Sequence, residues 1–234
     1  MQLEELVGLW LDPKSVWDST LASHLYSALS NSENIEPFRR LLSGGIPDMD
    51  RNPSFYINEF GWKMRPFLPE IVGLLDHRSP QVRFDAIRCL QQCGTLEDKG
   101  LFGRLLKCLD DPHPFVHRAV LMFIQQAPRC HLAQSVKEAA QGAGDTAFAE
   151  FPRCLSYTSI ITERMIRRLI SHKDPIARRF GVGLAVRPRL VIDDAFLELA
   201  DACEDEEGRL MIEFTRTKWL AKRCVRGRVV DCRR

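Results

Sequence analysis

Apolar residues recur three and four positions apart along most of this chain, the spacing that lines one face of an α-helix. Leu3, Leu6, Val7 and Trp10 make the first such face over Leu3 to Leu11, and Pro13 stops it. Val16, Leu21, Leu25 and Leu29 predict a second helix from Ser15 to Ser30, with Trp17 near its start and the turn-forming Asn31-Ser32-Glu33-Asn34 at its end. A short helix is expected from Pro37 to Leu42, closed by Gly44-Gly45. Pro47, Asp48, Asp50, Asn52 and Pro53 crowd the stretch Ile46 to Asn58, which predicts an irregular connector. Phe55, Tyr56, Phe60 and Trp62 are expected to plug the first repeat from it, although a loop of this length is also a common place for binding. Further helices are predicted over Phe67 to Leu75, Leu101 to Leu109, His131 to Gln141, Ile161 to Ile170, Ala177 to Val186, Asp193 to Cys203 and Glu206 to Arg226, with a break at Gly142 to Asp145. No segment reads as a strand, so the predicted fold class is all-α.

One pattern is written more than once. Leu74-Leu75-Asp76-His77-Arg78-Ser79-Pro80-Gln81-Val82-Arg83 ends one helix, turns, and opens the next at Pro80. Leu109-Asp110-Asp111-Pro112-His113-Pro114-Phe115-Val116-His117 superimposes on it without a gap, Pro80 and Pro114 lying 34 positions apart, as do Val82 and Val116. A third copy, Leu169-Ile170-Ser171-His172-Lys173-Asp174-Pro175-Ile176-Ala177-Arg178, follows 61 positions later, a gap with room for one degenerate copy. Proline suits the first position of a helix, where its missing N–H had no partner, and Ser79 or Asp174 before it is placed to cap the free amides. A period of about 30 to 45 residues marks stacked helical hairpins, none of which buries its apolar face alone.

These turns resemble the HEAT repeat, whose second helix typically follows an Asp-Pro-x-Val-Arg turn. Asp174-Pro175-Ile176-Ala177-Arg178 and Ser79-Pro80-Gln81-Val82-Arg83 come closest, while His117 stands where the family has Arg. The resemblance covers about half the chain and implies an α-α superhelix, a HEAT-like solenoid. It implies one domain over residues 1–234: capping helices and a loop over 1–62, central repeats over 63–192, and a capping hairpin with a basic tail over 193–234.

Composition changes this picture little. The hydrophobic and aromatic fractions, 45% and 9%, are those of an ordinary folded protein. Glu4 and Glu5 stand where a signal peptide places basic residues, no apolar run approaches the roughly 20 residues of a membrane span, and the eight cysteines are scattered among apolar neighbours. Reduced thiols and a cytoplasmic location are the expectation, with no membrane partner. Charge is uneven within a net +2: residues 1–75 hold 10 acids against 6 bases, residues 216–234 hold 1 against 8.

Catalytic machinery is not visible. His113 and His117 share a helical face, but no Glu follows His113 in the metalloprotease manner, and Cys89 and Cys93 lack a second pair; no metal and no cofactor is expected. None of the six histidines is followed by Glu, which removes the ligands of the HEAT-like iron hydroxylases. A nucleophile elbow and a phosphate-binding loop are absent as well. Another HEAT-like family similar in length excises alkylated bases from DNA, and Asp85 with Arg88 would be its candidates here, but the four tryptophans avoid the central repeats.

In HEAT-like stacks the second helix of each hairpin lines the concave side. If Val82, Ala86 and Leu90 pack inward, Asp85, Arg88 and Gln92 point elsewhere; the corresponding positions are Ala119, Met122 and Gln126, then Phe180, Gly183 and Arg187. A surface of Arg, Gln, Met and Phe suits a protein interface better than a phosphate track; the other reading open to Met122 and Phe180 is that they belong to the core. The expectation is therefore a non-enzymatic protein-binding module, and among compact free-standing HEAT-like chains of bacteria the resemblance points to an immunity protein that neutralises a cognate toxin. Nucleic-acid binding through Lys222, Arg223, Arg226 and Arg228 is the alternative, and that basic end is open to nucleic acid, an acidic protein or no partner.

Overall fold

Pro80, Pro114 and Pro175 each occupy the first turn of a helix, and each helix is preceded by a corner with the same pattern of bonds, made at the middle one by different side chains. In the computed structural model, which describes residues 1–12, 14–15, 18–43, 53–141, 148–149, 151, 161–187, 198 and 205–225 (of 218–225 the backbone only), every regular element is helical. At the first corner His77 Nδ1 accepts the Ser79 N–H at 3.1 Å, and Arg83 Nη1 reaches back to donate to His77 O at 2.7 Å. At the third, His172 Nδ1 accepts the Asp174 N–H at 3.1 Å and Arg178 Nη1 donates to His172 O at 3.0 Å. At the second, Asp111 Oδ1 accepts the His113 N–H at 2.8 Å, and His117 Nε2 donates to Asp111 O at 2.6 Å. His117 therefore does the work of the missing arginine, with a shorter reach. The caps differ from expectation at one place. Asp174 Oδ1 caps the Ile176 N–H at 2.8 Å as its position suggests, but Ser79 makes no side-chain cap, and at the middle corner His113 Nδ1 accepts from Phe115 N.

The backbone gathers into two compact units, Met1–Thr95 and Leu96–Arg234. In the first, α1 (Leu3–Leu11) packs on α2 (Ser19–Asn31), a short 3-10 turn leads into α3 (Arg39–Ser43), and α4 (Ser54–Glu59) runs into a 3-10 segment, Gly61–Phe67. α5 (Leu68–Gly73) and α6 (Pro80–Cys93) complete it, α6 lying against α4, α5 and the 3-10 segments. The connector expected up to Asn58 is thus helical from Ser54, and residues 44–52 lie outside the described residues. Phe38, Ile57, Met64, Phe67, Leu25 and Leu29 are fully buried at its centre. Tyr56 and Phe60 plug the unit as predicted, but Phe55 and Trp62 do not: they are 51% and 65% exposed.

The second unit holds α7 (Leu101–Lys107), α8 (Pro114–Gln126), α9 (Arg129–Ala140), α10 (Glu163–Ile170), α11 (Pro175–Ala185) and α12 (Glu206–Val225). α7 lies chiefly on α9, α10 pairs with α11, and α8 carries both α11 and α12. Phe102 and Phe123 stack with ring centres 5.8 Å apart, and Phe151 stacks on Phe180 at 4.3 Å, so aromatic burial of about 2–3 kcal/mol per ring anchors both halves of this core. Gly181 lies where an added Cβ would stand 2.9 Å from Leu169 Cβ, which is how closely α10 and α11 approach. Of the helix expected over Asp193 to Cys203 only Glu198, which is helical, is described, and the break at Gly142 to Asp145 lies outside the described residues. No described helix is long and apolar enough to cross a membrane.

Candidate functional site

In the first unit the residues of interest stand on α6, where the three-and-four spacing sends Val82, Ala86, Cys89 and Leu90 inward. Asp85 goes in with them. It is 2% exposed, with Oδ2 accepting from Ser54 Oγ at 2.6 Å and Gln81 Nε2 at 3.0 Å, and Oδ1 accepting from Asn58 Nδ2 at 3.2 Å. It therefore takes no place on an open face, and the base-excision candidate pair Asp85 and Arg88 makes no ion pair. The corresponding residues Ala119 and Phe180 are also fully buried, so this position in the register is interior all three times.

Burial pushes the Asp85 carboxyl above its ordinary value of 3.8, and the three hydrogen bonds only partly pull it back. Because the folded value is raised, Asp85 contributes most to stability below the unfolded value, and that contribution is lost as pH rises through the folded one. Asp85→Asn is expected to gain stability relative to the wild type as pH is raised from about 3.5 to about 7, whereas Asp85→Ala should cost on the order of 3 kcal/mol by stranding buried donors. Urea titrations across that range read both effects, and a pH-independent difference for Asp85→Asn would remove the buried carboxylate from the account.

Arg88 is the open member of this helix. It is half-buried, Nη1 donates to Gln91 Oε1 at 2.7 Å, and no carboxylate among the described residues pairs with it. Its loss of hydration makes the charged form less favoured than usual. Gln92 is exposed, donates to Asn58 O at 3.0 Å, and lies so close to Gly61 that an added Cβ there would meet Gln92 Cδ at 2.8 Å. Trp62 follows Gly61 directly and is the most exposed large apolar side chain described, its ring facing Lys63 Nζ at 5.4 Å. Lys63 is held in turn by the carbonyls of Leu29 at 2.8 Å and Ser30 at 2.5 Å, where its charge complements the end of α2. Arg88 and Gln92 share α6, and Gln92 lies against Gly61, which precedes Trp62; arginine and tryptophan are among the residue types that dominate protein interfaces.

In the second unit Met122 is half-exposed and Gln126 exposed on α8. Phe180 and Gly183 are buried in its core, Gly183 against Ile124, so neither offers a surface. Arg187 donates to Ile124 O and, at 2.7 Å, to Ala127 O, which closes the end of α8. The acids at the start of α12 are occupied as well. Glu207 is gripped at both oxygens by Arg118, at 2.7 and 3.0 Å, and Asp205 by Arg179 Nε at 3.0 Å. These pairs dock the helix, a role that the position of the acids at a helix start does not by itself reveal. Lys222 and Arg223 fall within α12, and Arg226 and Arg228 lie outside the described residues.

His113 and His117 serve their corner, one as a cap and one as a clamp. Cys89 and Cys93 are buried thiols outside any disulfide, and their mutual hydrogen bond, followed by burial, pushes the Cys89 thiol well up. Among the described residues no group of three or more His, Cys, Asp or Glu is placed to hold a metal. The chain matches no family model, no curated protein and no solved structure.

Proposed function

We propose that this chain is a non-enzymatic protein-binding module built from HEAT-like hairpins, and that its partner is a toxin which it neutralises as an immunity protein. The observation that carries the reading is on the first unit: a half-buried arginine, Arg88, without a carboxylate partner among the described residues, and an exposed tryptophan, Trp62, in the same unit. Removing water from such an arginine is unfavourable until a partner supplies an acceptor, which is how a few Arg and Trp side chains come to dominate binding energy. Exposed Gln126 and partly exposed Met122, four residues apart on α8, add a second candidate contact on the second unit. The recurring corner bonds support the repeat reading, in which each hairpin presents its second helix to a partner on the concave side of a superhelix.

The test is co-expression with toxic proteins encoded beside this chain's gene. Rescue of growth together with a stable one-to-one complex on gel filtration is the expected result. Duplex DNA binding that falls steeply between low and physiological salt, without rescue by any neighbouring product, would replace this reading with nucleic-acid recognition by the basic end.

A further inference from the structure

In the first unit, α1, the 3-10 turn before α3 and α3 itself border a hollow of about 440 Å³, whose lining includes Glu4, Asn34, Glu36, Pro37, Arg39 and Arg40. Local bonds shape its walls. Ser32 Oγ donates to Asn34 O at 2.6 Å, Asn34 Oδ1 accepts the Glu36 N–H at 3.0 Å, and Pro37 stands in the 3-10 turn that follows. Of the two acids in the first turn of α1, Glu5 accepts from Gln2 N at 3.0 Å and stays with its own helix. Glu4 crosses to α3, where it accepts from Arg40 Nη1 at 2.5 Å.

The two arginines of this lining differ. Arg39 is engaged on every side: Nε donates to Glu36 Oε1 at 2.5 Å, Nη2 to Pro66 O at 3.1 Å and Nη1 to Glu70, while its guanidinium lies 4.8 Å from the centre of the Phe67 ring. Arg40 uses Nη1 alone. Its Nε and Nη2 make no hydrogen bond among the described residues, and neither does Glu4 Oε2. The open Nε–Nη2 edge is the side-on fork of a guanidinium, whose two parallel N–H groups match the two oxygens of a carboxylate. The Glu4–Arg40 pair is itself weak: the side chains are 60% and 53% exposed, so water already screens them and rearranging the pair costs little.

Charge selects the ligand. Two carboxylates and two guanidiniums line the hollow, so its wall is neutral, and Glu36 with Arg39 is already matched. A lone carboxylate arriving at Arg40 would draw the arginine from Glu4, and a lone ammonium arriving at Glu4 would draw the acid from Arg40. A molecule that carries both groups on one carbon satisfies the two together and leaves no charge over.

We propose that this hollow binds a free α-amino acid with an uncharged side chain, its carboxylate on the Nε–Nη2 edge of Arg40, its ammonium on Glu4 and its side chain beside the ring of Pro37. A charged side chain is disfavoured because the neutral wall holds no unmatched ion to receive it. The site is independent of the protein partner proposed above.

Calorimetric titration of the full chain with glycine, L-serine and L-leucine, each singly, tests it. At least one is expected to bind with a Kd below about 1 mM, and its amide and its N-acetyl derivative, each lacking one of the two charges, to bind at least about tenfold more weakly. Arg40→Met and Glu4→Gln should each weaken binding by a similar factor, and Arg40→Lys, which keeps the charge but not the fork, should stay weak. These variants are expected to keep the wild-type circular dichroism, since the pair is exposed and its loss strands no buried group. The two derivatives test the charge requirement on the unaltered protein, whatever the variants do. No binding of any of the three amino acids overturns the proposal. A derivative that binds as well as its parent, binding that survives both Arg40→Met and Glu4→Gln, or full binding by Arg40→Lys overturns it equally.

Discussion

Gly103→Ala is expected to destabilise the second unit by about 3 kcal/mol, and Gly103→Val to prevent it from folding. A Cβ at this position would lie 2.5 Å from Glu138 Cβ and 2.9 Å from the backbone of Glu138 and Ala139, and the backbone of α9 cannot yield as a flexible side chain would. The closeness has a purpose. Glu138 is buried, and its carboxylate accepts from Gly100 N and Gly103 N, each at 2.9 Å, so a side chain from α9 caps the start of α7. A carboxylate at that end satisfies amides left without intrahelical partners and opposes the helix dipole. Gly100, with φ of 80°, turns the chain into position for it. Glu138→Gln replaces one acceptor by a donor and should cost about 1–2 kcal/mol. Gly8→Ala is the control: nothing lies within 4 Å of a Cβ there, and the change should stabilise α1 by about 0.5–1 kcal/mol. Urea unfolding of the three variants decides it, and a Gly103→Ala protein as stable as wild type would mean that α7 and α9 are not this close.

The second large effect concerns binding. Arg88→Asp in the first unit and Met122→Asp in the second are expected to abolish capture of the partner while helical circular dichroism stays intact. Reversing the charge of Arg88 places a carboxylate where the proposed partner brings its own acceptor, and truncation of a central arginine alone commonly costs about 2–4 kcal/mol, roughly 30-fold to 1000-fold in affinity. Trp62→Ala should weaken capture by a similar factor, since its ring is exposed and its loss removes no core packing. Unchanged capture in the Arg88→Asp protein would remove Arg88 from the binding surface. Loss of capture with collapse of the dichroism would instead show Arg88 to be structural.

Some of this was legible before any coordinates. The corners were, because proline at the first helical position and a polar turn before it act over a few residues and need no distant partner. Helices α1, α6, α8 and α11 follow from apolar spacing alone for the same reason. The interior position shared by Asp85, Ala119 and Phe180 is only partly legible: core burial is open to Phe180 from its type, but with Val82, Ala86 and Leu90 assigned inward the spacing sends Asp85 elsewhere. Two apolar residues at the same register position were the available signal. Asp85 could be buried only because Ser54, Asn58 and Gln81 supply its hydrogen bonds, and Ser54 and Asn58 come from a segment that reads as a loop. Trp62 differs from its expectation for the converse reason: aromatic residues in a turn read as core, and whether a neighbour covers them is decided elsewhere in the chain.

From the sequence alone come the helical class, the three equivalent corners and the absence of familiar catalytic motifs, all consequences of local stereochemistry and spacing. Only the tertiary structure decided which polar groups are spent on the fold and which stay open. Glu138, Asp205, Glu207, Arg118, Arg179 and Arg187 find their partners roughly 30 to 90 residues away, and Arg88 finds no carboxylate at all among the described residues. Such pairings depend on which helices lie side by side, and spacing along a chain carries no record of that.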